Sequence, residues 1–482
     1  MKRPNILFIL SDDQGAWALG CSGNPDIHTP NLDRLAARGA RFDNFYCVSP
    51  VCSPARASIL TGSIPSVHGV MDWIAGGNVD ASLPEVQGRP VFRSETKPIQ
   101  YLDHVTAYTD LLYEAGYTCA LSGKWHLGDS LHPQHGFSHW YTIARGGCSY
   151  QQPEMVRDGK ITFENAYITD LIGEDARSTL KELAAADNPF YLSVHFTAPH
   201  DPWDKEQHPQ DIWDSYEGCS FSATPDLPPH PWQVPGIASG QGERRRTILR
   251  GYYTAITAMD RQVGLLLDEL DALGLSDNTI IIFTGDNGMS MGHHGIFGKG
   301  NGTFPLNMFE SAVKVPFLMS WPDHLPAGSV MKGLYSHYDI FPTLVELLSL
   351  AGPVRQTLPG HSFAHLLHGQ PEKTSEAVVI LDEYGPVRMI RDDRFKLVLR
   401  YPYGPHEFYD LVNDPDENRN LYDDPAYSSS VISLRNQLES WFVKYADPAM
   451  DGTKEGVTGL GQLARAGSSS TAPVKFVPWP NP

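Results

Sequence analysis

The sequence predicts an α/β fold: a large central mixed β-sheet flanked by helices, followed by a small antiparallel sheet. Short apolar runs of strand length alternate with longer amphipathic segments of helix length as far as about residue 350. Several of these runs end directly in polar residues, as strands do at the binding edge of an open α/β sheet. After about residue 370 the pattern changes to short strands joined by tight turns. We therefore predict an α/β domain over residues 1–370, an α+β subdomain over 371–450 and an extended tail over 451–482.

The individual elements follow from the length and the period of each segment. Residues 5–10 contain an apolar run from Ile6 to Leu10, which predicts a buried first strand. Further strands are predicted at residues 40–48, 118–121, 189–196, 279–283, 315–320, 377–382, 388–391, 394–401 and 407–411. Helices are predicted at residues 30–38, 104–115, 165–186, 243–273, 339–350 and 427–445. Three segments without a clear period are predicted to be irregular, at residues 75–100, 128–160 and 204–240.

The composition is that of a globular protein with an acidic balance. Of the 482 residues, 41% are hydrophobic and 19% are charged, which excludes a disordered chain. The formal net charge of −19 argues against a nucleic-acid partner and against an anionic membrane. It does not exclude an anionic substrate, because local cations can outweigh a distant field. No apolar run approaches the length that spans a bilayer.

The cysteines and the N-terminal residues bear on the cellular compartment. The six cysteines contain no C-x-x-C pair and no dense framework, so neither a zinc ribbon nor a disulfide scaffold is indicated. Lys2 and Arg3 resemble a basic start, but the apolar run that follows is too short for the core of a secretory signal. We therefore expect a cytoplasmic protein, although a cloned mature chain with an added Met would begin in the same way.

The segment around Cys52 carries the most specific pattern in the chain, CSPAR at residues 52–56 followed by LTG at 60–62. Pro54 suits the first position of a helix and Ser53 suits the cap before it. Cys52 is thereby predicted at a helix N-terminus, where free N–H groups favour an anion. Arg56 adds a cation with two donors about one turn further on. The alternative is a small buried cysteine that only packs.

This pattern resembles the signature of the type I, formylglycine-dependent sulfatases of the alkaline-phosphatase-like superfamily. The resemblance implies that a formylglycine-generating enzyme oxidises Cys52 after synthesis to formylglycine, an aldehyde that is hydrated in the resting enzyme. One hydroxyl would then attack sulfur and the other would allow sulfate to be expelled. For the fold, the resemblance implies the alkaline-phosphatase-like sandwich, with residues 1–370 as the sulfatase catalytic domain.

Four oxygen-bearing side chains follow two of the predicted strands. Asp12 and Asp13 come after the first strand, and Asp286 and Asn287 come after a later apolar one. Carboxylates and an amide carbonyl suit a hard divalent cation better than zinc. Taken singly, each pair would also serve as a turn or a helix cap. Both pairs match the positions of the metal ligands in the sulfatase family, in which the modified Cys52 completes the coordination. We therefore predict a Ca²⁺ site, with Mg²⁺ as the alternative.

By the same resemblance, four further residues serve catalysis. Lys124 and His126 match the family's Gly-Lys-x-His, in which the lysine contacts the modified residue and sulfate and the histidine helps to release sulfate. His200 matches a histidine that contacts sulfate and can protonate the leaving oxygen, and Lys299 matches a lysine that does similar work. From the residues alone, Lys124 and His126 share one face of an extended segment, and a solvated lysine with a surface histidine is the alternative.

A less specific set of residues could line a substrate pocket. Aromatic rings suit the face of a sugar, although most tryptophans in a chain of this size are core residues. The histidines could equally belong to polar loops near the site. The candidates are His68, Asp72, Trp73, His135, Arg145, Trp203 and His294.

The resemblance thus implies a sulfate ester hydrolase that acts on a sulfated small molecule or saccharide, with a sulfated carbohydrate as the expected class. One rival is a phosphonate or phosphate diester hydrolase of the same superfamily, which can share the formylglycine. Asn287 favours a sulfatase, because some such relatives use His at the metal. The other rival is a non-catalytic binder of sulfated glycans, which would require Cys52 to stay unmodified. The sequence leaves the sugar, the linkage position and the oligomeric state open.

Overall fold

A computed structural model describes residues 3–87, 92, 94–235, 237–372, 376–383, 385–454 and 461–466. Its strands are β1 (Asn5–Ser11), β2 (Ala40–Phe42), β3 (Phe45–Tyr46), β4 (Thr118–Gly123), β5 (Phe137–Ile143), β6 (Glu154–Arg157), β7 (Lys160–Phe163), β8 (Phe190–His195), β9 (Thr279–Gly285), β10 (Ser290–Met291), β11 (Phe297–Gly298), β12 (Phe317–Ser320), β13 (Ser329–Met331), β14 (Tyr335–Ser336), β15 (Val378–Asp382), β16 (Val387–Arg391), β17 (Phe395–Arg400) and β18 (Glu407–Asp410). Its helices are α1 (Pro30–Arg38), α2 (Cys52–Thr61), α3 (Pro65–His68), α4 (Tyr108–Glu114), α5 (Ile168–Ala184), α6 (Gln210–Ser215), α7 (Gly242–Ala272), α8 (Glu310–Val313), α9 (Ile340–Leu347), α10 (Ala364–Leu367) and α11 (Ser428–Tyr445).

The centre of the fold is a mixed sheet with the strand order β13-β2-β12-β9-β1-β8-β4-β5-β6-β7. Strands β9, β1, β8, β4 and β5 run parallel to one another, and antiparallel strands flank them on both sides. Helices cover both faces, which explains why the inner strands are apolar throughout rather than alternating. The predicted α/β class with a large mixed sheet is confirmed.

Strand β1 shows how one apolar run serves two cores. Ile6 and Phe8 point into the core that contains residues of α2, α4 and α9. Leu7 and Ile9, which alternate with them, point into the core that contains residues of α1, α5 and α7. Since successive side chains of a strand point to opposite faces, every residue of this run is buried.

The parallel pairing aligns the carboxyl ends of four strands. Ser11 at the end of β1 lies beside Gly285 at the end of β9. On the other side, Leu10 of β1 pairs with His195 of β8, and His195 pairs in turn with Gly123 of β4. The residues that follow these strands are therefore delivered to one edge of the sheet.

The small sheet near the C-terminus has the order β15-β16-β17-β18 and is antiparallel throughout, as predicted. Leu434 and Leu438 of α11 pack in one cluster with Ile390 and Leu397 of this sheet.

Among the described residues, none of the helices has both the length and the apolar composition that a bilayer span requires. The domain boundary at residue 370 stays a prediction.

All three segments predicted to be irregular contain more order than expected, and the segment 204–240 includes helix α6. Residues 128–160 include β5 and β6, which extend the central sheet, so the prediction of a loop was wrong there. Strand β5 mixes aromatic, polar and histidine residues, and this mixed composition hides the strand period. In the segment 75–100, Val79 and Val86 pack with Leu131 in a small core. The predicted helix at 104–115 begins only at Tyr108.

Candidate active site

The four predicted metal ligands lie together at the shared edge of β1 and β9. The backbone N–H of Asp13 donates to Asp286 Oδ1 at 3.1 Å, and Asn287 Nδ2 donates to Asp13 Oδ1 at 2.8 Å. Asp13 has a φ of 65°, a left-handed conformation that aspartate tolerates better than most residues. The hydroxyl of Tyr252 holds it there by donating to its carbonyl oxygen at 2.9 Å. All four ligand side chains are buried.

Cys52 is the first residue of helix α2, with Val51 as the N-cap. The predicted cap at Ser53 and helix start at Pro54 were therefore two residues late. The hydroxyl of Ser53 does not cap the helix, because it accepts a hydrogen bond from the backbone N–H of Ile74 at 3.0 Å. Cys52 nevertheless lies at the helix N-terminus, where the free N–H groups carry partial positive charge.

Three cations surround Cys52 and the carboxylates. Lys299 Nζ lies 2.5 Å from Cys52 Sγ and 2.6 Å from Asp13 Oδ1. Lys124 Nζ lies 2.5 Å from Asp12 Oδ2. Arg56, one turn into α2, donates from Nε to a carboxylate oxygen of Asp286 at 2.9 Å and from Nη1 to the carbonyl of Lys124 at 3.0 Å. Buried carboxylates and buried cations thus compensate one another.

Two histidines complete the cluster. His200 Nε2 is 3.8 Å from Asp13 Oδ2, and His200 Nδ1 is 3.0 Å from Asp201 Oδ1. Burial lowers the pKa of His200, but the carboxylates of Asp201, Asp12 and Asp13 outweigh it and raise the pKa to about 9. His126 Nε2 hydrogen-bonds to the carbonyl of Ile74 at 3.0 Å, which points the other ring nitrogen away from that loop.

The carboxylates are close enough to disturb each other's charge. Burial, followed by the charge of Asp12, raises the pKa of Asp286 to about 7. Burial also acts to raise the pKa of Asp12, but Lys124, His200 and Arg56 outweigh it and hold that pKa well below its usual value. Asp286 is buried beside Asp12 and Asp13, so a bound cation would stabilise its charged form.

The residues present fit a hard divalent cation. Asp12 Oδ1 and Asn287 Oδ1 are buried oxygens without a hydrogen-bond partner among the described residues. Potential ligand atoms of Asp12, Cys52 and Asp286 all lie within 4.8 Å of one another. Unpaired buried oxygens are costly unless something binds them, and an oxygen-rich donor set is the type that Ca²⁺ and Mg²⁺ prefer.

A cavity of about 550 Å³ opens above this cluster and is lined by Cys52, His126, His200 and Lys299. Its volume is within the range of pockets that hold small molecules. Trp73 and Arg145, two of the seven predicted pocket residues, also line it. The remaining five lie outside the lining.

Two of those five lie beneath the segment that forms one cavity wall. His68 Nε2 is 3.1 Å from the hydroxyl of Ser58, and its Nδ1 accepts from the backbone N–H of Val70 at 3.1 Å. Asp72 accepts hydrogen bonds from the backbone N–H groups of Trp73 and Gly461. Both side chains thus support the wall from behind.

The other three make contacts within the fold. His135 Nδ1 lies 3.0 Å from an Asp110 carboxylate oxygen, at the start of α4. The indole N–H of Trp203 donates to a backbone carbonyl four residues earlier. The ring of His294 stacks on Phe309 with the centroids 3.8 Å apart. These contacts place the three side chains in structural positions.

Sequence reasoning missed seven residues that line the cavity, namely Ile74, Ala75, Asn78, Ser94, Gly146, Gly147 and Asn301. Gly146 is required by close approach, because a Cβ there would lie 2.1 Å from His126 Nε2. The glycine pair at 146–147 was a usable signal, since paired glycines in a loop often mark such an approach. Asn78 belongs to a segment without a period, and no sequence signal distinguished it.

Comparison with protein families agrees with this geometry. The sulfatase family model matches residues 4–350, and the model of the C-terminal region of N-sulphoglucosamine sulphohydrolase matches residues 292–444. An N-acetylglucosamine-6-O-sulfatase of Bacteroides thetaiotaomicron is 27% identical over 92% of this chain and 87% of its own. An N-acetylgalactosamine-6-sulfatase of Canis lupus familiaris is 32% identical over 91% of this chain and 78% of its own.

Solved structures share the fold. One that is described as a complex with its substrate D-glucosamine-2-N,6-O-disulfate superimposes with a TM-score of 0.75, at 25% identity, over 94% of this chain and 100% of the other. A phosphonate monoester hydrolase of Agrobacterium radiobacter has a TM-score of 0.67 at 22% identity, over 92% of this chain and 96% of its own, and shows a common fold. Since the family match spans most of the chain and includes the whole cluster around Cys52, the protein belongs to the sulfatase family.

Proposed function

We propose that this sulfatase hydrolyses a sulfate ester on a saccharide by means of a formylglycine formed from Cys52 and a bound divalent cation, Ca²⁺ or alternatively Mg²⁺. The formylglycine-generating enzyme of the host would be the maturation partner. Hydrolysis of sulfate esters is the activity of the family to which the chain belongs. The identity of the nucleophile, the cation and the substrate class is our inference from the site.

One observation carries the proposal, namely the position of Cys52 Sγ between acids and bases from remote segments. Lys299 contacts both Cys52 and Asp13, although 247 and 286 residues separate it from them. Cys52 Sγ also lies 3.8 Å from Asp13 Oδ1. A thiol that served only for packing would not require such an arrangement of buried charges, which is costly to assemble.

Asp12, Asp13, Asp286 and Asn287 would hold the cation, together with the oxygen of the modified residue 52. When bound, the cation supplies positive charge that polarises the oxygens of a sulfate group and stabilises charge on the nucleophilic oxygen. The hydrated aldehyde supplies a hydroxyl for attack on sulfur, and its second hydroxyl supplies a route by which sulfate leaves.

The side chains of the cluster can bind sulfate and handle the protons. Arg56, Lys124 and Lys299 supply fixed cations that offset the negative oxygens, which otherwise repel a nucleophile. His200 lines the cavity and lies near the ligand Asp13, so its ring can give a proton to the alcohol that leaves. His126 lines the same cavity with Nδ1 buried and without a hydrogen-bond partner among the described residues, which leaves it available as a base.

The saccharide assignment is supported by the cavity and by the relatives. Trp73 lines the cavity, and an indole ring provides a flat apolar face against which a sugar ring can pack. Two relatives with similarity over most of their length carry the names of sulfatases that act on amino sugars, whereas two others are named an ulvan-active sulfatase and a choline-sulfatase. A sulfated amino sugar is therefore the first substrate to test.

The first experiment compares ester classes and metal content. We expect purified protein to release the alcohol from an aryl sulfate and from a 6-sulfated N-acetylhexosamine, and to act far less on an aryl phosphonate. Chelation should abolish turnover, and added Ca²⁺ or Mg²⁺ should restore it. Faster turnover of the phosphonate would favour the rival activity. Full sulfatase activity after complete removal of metal would refute the cation site.

A further inference from the structure

One wall of the cavity carries a guanidinium that the reaction at sulfur does not use. Arg145 follows strand β5, and its guanidinium carbon lies 5.0 Å from the centroid of the Phe92 ring. Its Nε is buried and has no hydrogen-bond partner, and no ion pair engages the group among the described residues. A buried N–H group without an acceptor costs free energy, and no described residue accepts from Arg145 Nε, so we expect an acceptor on a bound molecule.

A second unpaired atom lies on the same wall. Asn78 is 1% exposed, and its Nδ2 and backbone N–H both donate to the carboxylate of Glu95 at 2.8 Å. This orientation leaves Asn78 Oδ1 buried and without a partner among the described residues. Because Asn78 lines the cavity, this oxygen is an acceptor for a hydroxyl or N–H group of a bound molecule.

Glu95 does not neutralise Arg145. Its carboxylate is only 4% exposed and is held by Asn78 and by the backbone N–H of Val79 at 3.3 Å. No ion pair joins it to the guanidinium among the described residues, although the two groups are near enough for the positive charge of Arg145 to act on the carboxyl. Among the described residues, therefore, nothing accepts from Arg145 Nε, and this donor is available to a ligand.

We propose that Arg145 binds a second anionic group of the substrate, a sulfate or a carboxylate, while the ester sulfate lies over Cys52. Asn78 Oδ1 accepts a hydrogen bond from a neutral group of the same sugar. The substrate class is then a saccharide with at least one negative group in addition to the sulfate that is removed. This inference rests on the proposed function, since it assigns one end of the cavity to the reacting ester.

The physical basis is the geometry of the guanidinium. Its planar donors can hold sulfate or carboxylate oxygens by two parallel hydrogen bonds. Water is partly excluded from the wall, because Nε is buried, so the charge interaction is stronger than at an open surface. Lys299 and His200, which line the same cavity, add positive charge that attracts a dianion.

The test uses three substrates: N-acetylglucosamine 6-sulfate, glucosamine 2-N,6-O-disulfate, and a disaccharide of the first sugar with a uronic acid. The ratio of kcat/KM for each dianion to kcat/KM for the monoanion is measured in wild-type protein and in Arg145→Gln. We expect the ratio to fall by about 10- to 100-fold in the variant, the range for loss of a hydrogen bond between charged groups. Comparison of the two dianions distinguishes sulfate from carboxylate as the second group.

Arg157→Gln is the matched control. Arg157 belongs to the neighbouring strand β6, its guanidinium pairs with Asp175, and neither residue lines the cavity. This variant should keep the wild-type ratio. Arg145→Lys should recover part of the ratio, since lysine keeps the charge but loses the planar donors. An unchanged ratio in Arg145→Gln, or a wild-type ratio no greater than one for both dianions, would overturn the inference.

A binding measurement separates this inference from the proposed function. Cys52→Ala cannot form the aldehyde, so dissociation constants for the three sugars can be measured in this background with and without Arg145→Gln. We expect the dianions to lose affinity preferentially when Arg145 is replaced. If wild-type protein hydrolyses none of the sugars but this preference holds, hydrolysis is refuted and the anion site stands. Equal weakening of all three sugars would refute the anion site.

Discussion

At the residue scale, the site consists of buried charges that compensate one another. Asp12, Asp13, Asp286 and Asn287 were predictable because they follow apolar strands directly, and the carboxyl ends of parallel strands meet at one edge. Arg56 was predictable from its spacing to Cys52 on a helix. The role of each side chain in the reaction stays a prediction.

Other residues of the wall could not be predicted. Asn78 is held in position by Glu95, whose carboxylate accepts hydrogen bonds from the backbone N–H and from the side-chain Nδ2 of Asn78. Such a pair is formed by tertiary packing in a segment without local regularity. Ser53 shows the converse, because its local sequence favours a helix cap whereas the structure uses its hydroxyl to hold Ile74.

Lys299 provides the prediction at this scale. Replacement of Lys299 by Ala removes the ammonium that contacts Cys52 and Asp13, so we expect kcat/KM for a sulfate ester to fall by about 100-fold or more. The exposed Lys160 on β7 provides the control, since Lys160→Ala also removes one positive charge from the surface. Steady-state kinetics at equal protein concentration measure both. A Lys299→Ala enzyme within twofold of the Lys160→Ala enzyme would exclude a role for this ammonium at sulfur.

At the scale of elements, long helices and buried strands were predictable and mixed segments were not. The unbroken apolar run of β1 and the length of α7 each specify one structure. Strand β5 escaped prediction because its histidine and aromatic residues obscure its period, and β6 escaped because it has only four residues. Pairing with β4 and β7 establishes them. The start of α4 at Tyr108 likewise depends on packing, since the residues before it are compatible with a helix.

The junction between α7 and α1 carries a buried acid that links stability to pH. Asp260 of α7 accepts hydrogen bonds from the backbone N–H groups of Asn31 and Leu32 at the start of α1. Burial raises the pKa of Asp260 to about 6, whereas an unfolded aspartate titrates near 3.8. The native state therefore holds this proton more tightly than the unfolded state does. The contribution of protonated Asp260 to the stability of the native state is complete below pH 3.8, and it is lost as the pH rises towards and through 6.

Asp260→Asn tests this linkage, because asparagine resembles the protonated acid at every pH. Between pH 4 and pH 7 the difference in free energy of unfolding, variant minus wild type, should increase by about 2.4 kcal/mol, whatever its value at pH 4. Denaturant unfolding at both pH values measures the change. Asp268→Asn, which affects a largely exposed acid in an ion pair with Arg34, should leave the pH dependence as in wild type. A constant difference between Asp260→Asn and wild type would contradict the assignment.

At the scale of the whole molecule, segments far apart in the chain combine to form one cavity. The C-terminal residues participate, because the side-chain oxygen of Gln462 accepts from the backbone N–H of Met71 at 2.8 Å. The backbone N–H of Gln462 donates to the carbonyl oxygen of Trp73 in the cavity wall, also at 2.8 Å. Most of the predicted tail, residues 455–460 and 467–482, lies outside the described residues. The predicted cytoplasmic location stays a prediction.

The central claim is that this assembly acts through an oxidised side chain at position 52. The most direct measurement compares several preparations that differ in their degree of maturation. For each preparation it determines two quantities: the fraction of the Cys52 peptide in which an aldehyde has replaced the thiol, and the rate of sulfate release per protein. Peptide mass spectrometry gives the first quantity and assay of inorganic sulfate gives the second. We predict that the rate is proportional to the aldehyde fraction and is zero when every Cys52 keeps its sulfur. Equal rates in converted and unconverted preparations would contradict the account.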